Sequence, residues 1–179
     1  PPGRKGGVKV GSVQELLDAM QPWVPVDAPP PGGKVLDFGC GEGKLLNTLQ
    51  DAGWDTYGIE PSADVAFLRH NRLDEPPQDG TFDFVIMHHV LEHVPGPLGV
   101  LREIAGALRQ GGILFISVPR FDTIARHRDF RYCINGRNHV VAFTDACLTT
   151  LLAFAGFEVV ARLDTPELDA AFTDGQPLR

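Results

Sequence analysis

Three groups of residues in this chain have side chains and spacing that could do chemistry. Gly39, Cys40, Gly41, Glu42 and Gly43 directly follow the apolar run Val35-Leu36-Asp37-Phe38. Glycines at such a turn let the backbone approach a ligand closely. A helix beginning just after them would offer free N–H groups and the positive end of its dipole to an anionic or polar group. Glu60 stands nineteen residues after Gly41, at the end of the next strand-like run, Trp54 to Ile59. A carboxylate at that place can accept both hydroxyls of a ribose. Loop and acid together describe a nucleoside-binding crevice. A GxGxxG dinucleotide fingerprint would need glycine at 44, where this chain has Lys44, so a nicotinamide cofactor is disfavoured. Taken alone, the loop also fits a tight strand-to-helix turn with no ligand.

The second group is histidine-rich. Helical spacing from His89 places Glu92 and His93 at i+3 and i+4, so the three side chains can share one face. His139 lies further on, just before a capped helix, where it can close over the same pocket. Two imidazoles and a carboxylate that converge can bind a divalent metal or act as general bases. The plainer alternative is that Glu92 and His93 stabilise a helix start and shape the pocket without any metal.

The third group runs from Arg120 to His139. Arg120, Arg126, Arg128, Arg131 and Arg137 stand against Asp122 and Asp129, a local excess of three positive charges in a chain of net charge −7. Arginines there could hold a carboxylate or phosphate of an organic substrate bidentately, with Phe121, Phe130 and Tyr132 covering it. A solvated loop whose arginines pair with nearby acids is the alternative.

These residues need elements to position them. Residues 1–11 are a Gly- and Lys-rich lead, and Ser12 with Glu15 forms a capping box for a helix carrying Val13, Leu16, Leu17 and Met20 on one face. Pro22, Pro25, Pro29, Pro30 and Pro31 then make a linker no helix can cross. From Lys34 strands alternate with helices. Val35–Phe38 and Trp54–Ile59 are the first two strands, separated by a helix through Leu45, Leu46 and Leu49. Val65–Leu68 is a candidate third strand after a very short connection, and Phe82–Met87 is a fourth. A helix from Pro97 through Leu98, Leu101, Ile104, Ala105 and Leu108 ends at Gly111-Gly112. Ile113–Val118 is a fifth strand, and a Thr144-capped helix leads to Phe157–Val160. The alternation predicts an α/β fold with a doubly wound, mostly parallel sheet of about six strands and helices on both faces. Residues 1–33 are the lead, capping helix and linker, and residues 34–179 are the ligand-binding domain.

Four segments, in order, carry a family resemblance. They are Val35 to Gly43, then Tyr57-Gly58-Ile59-Glu60, then Phe82 to Val94, and then Leu108-Arg109-Gln110-Gly111-Gly112. They resemble the successive motifs of class I S-adenosylmethionine-dependent methyltransferases over residues 34–163. The fourth strand runs into His-Val-Leu-Glu-His-Val, which is similar to the branch containing ubiquinone-biosynthesis O-methyltransferases and related small-molecule methyltransferases. The resemblance implies a Rossmann-like fold and S-adenosylmethionine as cofactor. It implies a methionine part along Gly39, Cys40, Gly41 and Gly43, a ribose at Glu60, and an adenine packed between the loops after strands three and four. Asp37, Pro61, Arg72, Leu73 and His88 complete the implied cofactor set. A small-molecule acceptor would meet Arg120, Arg126, Arg128 and Arg131. Transfer to a hydroxyl would need a base, for which His89, His93 and His139 suit, since imidazoles titrate near ~6.5 in water.

The chain also departs from the family pattern. Only Pro61-Ser62-Ala63-Asp64 separates Glu60 from Val65, so the helix between strands two and three is expected to be missing. The acid that accepts from the adenine amino group falls by register on Arg72, with Asn71 or Asp74 as substitutes. Thr173–Arg179 is a poor seventh strand. His89, Glu92, His93 and His139 resemble the Glu-x-x-Glu-His and distant His metal arrangement of RNA 3′-end 2′-O-methyltransferases and some quinone O-methyltransferases, with His89 in place of the first Glu. Nicotinamide oxidoreductase, metal-assisted methyltransferase and non-catalytic cofactor-binding module stand as rival readings.

Composition bounds the rest. The length of 179 residues suits one domain, and 43% hydrophobic with 22% charged residues is ordinary globular usage. The apolar runs are far shorter than the ~18 residues of a membrane span. The net charge of −7 disfavours a broad nucleic-acid surface. Cys40, Cys133 and Cys147 are odd in number and contain no CxxC, against both a disulfide framework and a structural zinc site. The first residues lack the apolar core of a secretory signal and do not begin with Met, from which a processed or trimmed, cytoplasmic chain is expected. A chain of this length leaves no room for a separate cap domain, so a homodimer or a partner chain could complete an open site.

Overall fold

The computed structural model describes residues 13–61, 70–121 and 139–163. Ser12 of the capping box, Val65–Leu68, Cys133, Arg126, Arg128, Arg131 and Thr173–Arg179 lie outside the described residues. Within them, five strands form one parallel sheet. These are β1 (Lys34–Phe38), β2 (Asp55–Ile59), β3 (Asn71–Arg72), β4 (Phe82–His88) and β5 (Leu108–Ser117), in the order β3-β2-β1-β4-β5. The named helices among the described residues are α1 (Val13–Met20), α2 (Lys44–Asp51), α3 (Pro97–Ala107) and α4 (Asp145–Phe154), and Leu91–His93 makes a 3-10 turn.

The near-continuous apolar runs of β1 and β4 reflect a sheet covered on both sides. Val35, Phe84 and Ile86 pack with Leu17 and Met20 of α1 and Leu45, Leu46 and Leu49 of α2. Leu36, Val85 and Met87 turn the other way, onto Leu101, Ile104 and Ala107 of α3 and onto Phe143 and Leu152. The proline-rich stretch is part of this packing. Val24 and Val26 are buried, and the Trp54 indole N–H donates to the Val26 carbonyl at 3.0 Å. Thr144 caps α4, its hydroxyl accepting from the Cys147 amide at 3.1 Å.

Three sequence expectations change. Among the described residues the third strand is Asn71–Arg72, later in the chain than Val65–Leu68, which lies outside them. Phe157–Val160 forms no strand, and the described sheet has five strands rather than six. Apolar alternation misled there because Val159 and Val160 are left exposed instead of pairing. Finally, α3 stops at Ala107 and β5 begins at Leu108, with Gly111 (φ +74°) and Gly112 inside the strand, at an irregularity of the β4–β5 register opposite Phe82–Phe84.

In this strand order the connections leave β1 and β4 in opposite directions. The carboxyl ends of those two neighbours therefore flank the topological switch point, where ligands of open α/β sheets bind. Asp37 and His88 stand at those ends.

Candidate functional site

Local backbone needs set the loop after β1. Gly39 (φ +83°), Gly41 (φ +52°) and Gly43 (φ +74°) all occupy the left-handed region, which L side chains enter at a cost. Gly43 caps α2 with no side-chain acceptor, so the first amides of that helix face the loop without a cap. At Gly41 an added Cβ would meet nothing within 4 Å, which is the open cradle a ligand needs. At Gly39 it would fall 2.4 Å from Val90 Cγ2. Gly39→Ala is therefore expected to cost about 2 kcal/mol or more of stability, through backbone strain and the clash together. A denaturant titration showing no loss would contradict the packing described.

The loop is tied across the sheet. The amides of Gly39 and Cys40 donate to the Ile59 carbonyl at 2.7 and 3.1 Å, and the Gly41 amide donates to Glu60 Oε2 at 2.9 Å. Glu60 therefore stands at the loop, its carboxylate set between the ends of β1 and β2. Arg72 reaches back to the same place, Nη2 donating to the Glu60 carbonyl at 3.1 Å. Leu73 N–H donates to the Gly58 carbonyl at 3.0 Å, and Pro61 follows Glu60 on the surface. Asn71, a substitute considered for the adenine acid, is engaged with Asp55 and the Thr56 carbonyl, and Asp74 is exposed.

A cleft of about 400 Å³ opens here, lined by Asp37, Gly39, Cys40, Glu42, Lys44, Leu45 and His88, and on its outer side by Val13 and Leu16 of α1. Five of these (Asp37, Gly39, Cys40, Glu42 and His88) belong to segments the sequence singled out. The two α1 residues were read as core, because their helical spacing cannot distinguish a core face from a cleft wall. Ser117 was also missed. It pairs in register with His88, and its hydroxyl hydrogen-bonds His88 Nδ1 at 2.6 Å.

Burial sets the charge states in the cleft. Asp37 is 5% exposed, and desolvation, with the Glu60 carboxylate adding to it, pushes its pKa up to about 7. Burial and the Asp37 and Glu60 carboxylates push the Cys40 thiol up to about 12, so it is no nucleophile. Burial, with His89 adding to it, pushes His88 down to about 4, leaving a neutral ring at neutral pH. A positively charged ligand group against Asp37 would draw its proton off, so a cationic amine or sulfonium fits this floor.

The Asp37 shift has a consequence for stability. An unfolded Asp titrates near ~3.9, well below the folded value, so raising the pH strips the unfolded chain of its proton first. Stability of the ligand-free protein is expected to fall as pH rises from about 4 to about 7, by up to about 4 kcal/mol. Asp37→Asn should flatten that slope in urea titrations. A slope unchanged in the variant would contradict the assignment.

Beyond His88 the histidine cluster begins. The rings of His88 and His89 meet edge to face at 4.5 Å. His89 is not on a helix with Glu92, as its spacing predicts. It has φ +54°, a left-handed backbone rare outside glycine, and only Leu91–His93 turn as a 3-10 helix. The side chains converge all the same. His89 Nδ1 donates to Glu92 Oε1 at 3.2 Å, and His93 Nε2 lies 3.9 Å from that oxygen. The His93 and His139 rings meet edge to face at 4.7 Å. Val140 and Val141 amides donate to the Glu92 carbonyl at 2.8 and 3.1 Å, which brings His139 here from a distant part of the chain. Arg120 forms a parallel backbone β-bridge with Phe143, placing the start of the arginine-rich stretch beside the segment that holds His139.

The glycine loop, the acid ending β2 and the switch point define a Rossmann-like, nucleoside-binding α/β domain. A methyltransferase domain family matches residues 12–162, and the chain belongs to it. The chain is 32% identical to the ubiquinone biosynthesis O-methyltransferase of Bordetella avium, over 72% of this chain and 54% of that protein. It spans about half the length of the curated relatives it matches. Among solved structures, an S-adenosylmethionine-dependent methyltransferase from Mesorhizobium loti superposes with a TM-score of 0.69 at 18% identity, covering 92% of this chain and 90% of the other. A Haloferax volcanii complex with the Trm112 methyltransferase activator gives 0.68 at 21% identity, covering 88% and 77%. The fold and the family are those of class I S-adenosylmethionine-dependent methyltransferases. No described helix is long and apolar enough to cross a membrane.

Proposed function

We propose that this chain binds S-adenosylmethionine in the β1–β2–β4 crevice and methylates a hydroxyl of a small anionic or sugar-like molecule. The observation that carries the reading is Glu60, held by the Gly41 amide at the end of β2 beside a 400 Å³ cleft floored by Asp37. When bound, the cofactor supplies a methyl group on a cationic sulfur, ready for in-line displacement. The chain's own residues do the rest. Asp37, Gly39, Cys40, Gly41 and Gly43 receive the methionine part, Glu60 the ribose, and Pro61, Arg72 and Leu73 the adenine side. Neutral His88, fixed by Ser117, shapes the floor. His139 or His89 takes the acceptor proton as the new bond forms, and His93 stands beside them. Arg120, with Arg126, Arg128 and Arg131, holds the acceptor's negative or polar groups. Positioning and exclusion of water account for the rate, and no covalent residue is required.

A second reading, metal-assisted transfer, is favoured by one observation. Potential ligand atoms of Glu92, His93 and His139 lie within 4.8 Å of one another. A further chain could complete the acceptor side, either a second copy or a different subunit such as the activator that accompanies the Haloferax volcanii neighbour. The test is a transfer assay with methyl-labelled S-adenosylmethionine against fractionated cell extract, with and without chelator. One labelled small molecule carrying a new methyl ether is expected. Cofactor binding with no labelled product in any fraction would favour a non-catalytic module instead.

A further inference from the structure

The two oxygens of Glu92 differ in their surroundings. The side chain is 1% exposed. Oε1 accepts from His89, while the buried Oε2 has no hydrogen-bond partner among the described residues. A buried carboxylate oxygen left without a donor is costly, and a cation bound against it would relieve that cost. A second such atom lies nearby, since His139 Nδ1 is buried and has no partner among the described residues. With His93, these residues bring ligand atoms within 4.8 Å of one another, a spacing that small side-chain rotations close onto one ion bonded at about 2.0–2.2 Å. The amides of Val140 and Val141 on the Glu92 carbonyl fix the two chain segments to each other.

We infer that Glu92, His93 and His139 form a three-ligand site for a transition ion of the zinc or cobalt kind, with His89 outside the ligand set as the residue that positions Glu92. The inference rests on the metal-assisted reading, in which His139 is a ligand rather than the proton acceptor, and specifies its ion. Two imidazoles and one carboxylate are a nitrogen-rich set. Magnesium and calcium prefer shells of oxygen, whereas zinc and cobalt accept imidazole readily. Three protein ligands also leave open positions, as sites that take a water or a substrate oxygen do. His89 holds a left-handed backbone and spends its Nδ1–H on Glu92 Oε1, which leaves Oε2 for the ion. Such outer partners of a ligand typically tune affinity rather than create it.

The test uses the full chain, stripped with chelator and titrated separately with Co²⁺, Zn²⁺ and Mg²⁺. One equivalent of Co²⁺ should produce a visible absorption band that Zn²⁺ abolishes, and Mg²⁺ should bind at least about 100-fold more weakly. His139→Ala and His93→Ala should each abolish the band, and His89→Gln should keep it with affinity about 10- to 100-fold lower. S-adenosylmethionine binding on each sample reports that the protein is folded and tests the methyltransferase reading separately. Mg²⁺ binding as tightly as Zn²⁺ would overturn the ion class while leaving metal assistance standing. No band from a wild-type sample that binds S-adenosylmethionine would overturn the site altogether. Loss of the band in His89→Gln would place His89 among the ligands and overturn its positioning role.

Discussion

Replacing His139 with alanine is expected to lower methyl-transfer turnover by about 10²- to 10⁴-fold, the usual worth of a positioned proton acceptor. Affinity for S-adenosylmethionine should stay within about twofold, because His139 is not among the residues lining the cofactor cleft. Its position supports the large effect. His139 stands against His93, next to the buried Glu92, and its Nδ1 makes no hydrogen bond among the described residues. His89, already bonded to Glu92, should show a smaller loss, and the two losses should not add, since both groups lie against Glu92. Single-turnover rates with labelled cofactor separate the chemical step from product release. An unaffected rate would remove His139 from catalysis.

Glu60→Ala should act on the other half of the reaction. A carboxylate accepting two ribose hydroxyls contributes about 1.5–3 kcal/mol per charged hydrogen bond. Loss of both is expected to weaken S-adenosylmethionine about 10²-fold or more in equilibrium dialysis. The fold should survive, because Glu60 is only half buried and the Ile59 carbonyl still holds the loop through Gly39 and Cys40. Turnover at saturating cofactor should fall much less than affinity. Unchanged affinity would mean that the carboxylate does not face the ribose.

Much of this was legible in the sequence, where residue type and backbone need coincide. Gly39, Gly41 and Gly43 occupy conformations that favour glycine, so the loop was readable. Glu60 was readable because parallel strands align their carboxyl ends, which also pairs His88 with Ser117. What failed did so for physical reasons. β3 is two residues long and exposed, so no apolar run marks it. Val159 and Val160 have strand-like side chains but no strand beside them. His89 was placed correctly against Glu92 for the wrong reason, since a left-handed residue rather than a helical turn brings them together. Val13 and Leu16 were hidden because a cleft wall and a core face share one helical period.

The central claim is that S-adenosylmethionine occupies the crevice between the ends of β1, β2 and β4. It is tested most directly by adding the cofactor stepwise to ¹⁵N-labelled protein and following each backbone amide by NMR. Saturable shifts are expected at Gly39, Gly41, Gly43, Glu60 and His88, with Lys34, Phe82 and Leu108 at the opposite ends of the strands left in place. No saturable shift, or shifts confined to the far side of the sheet, would contradict the account.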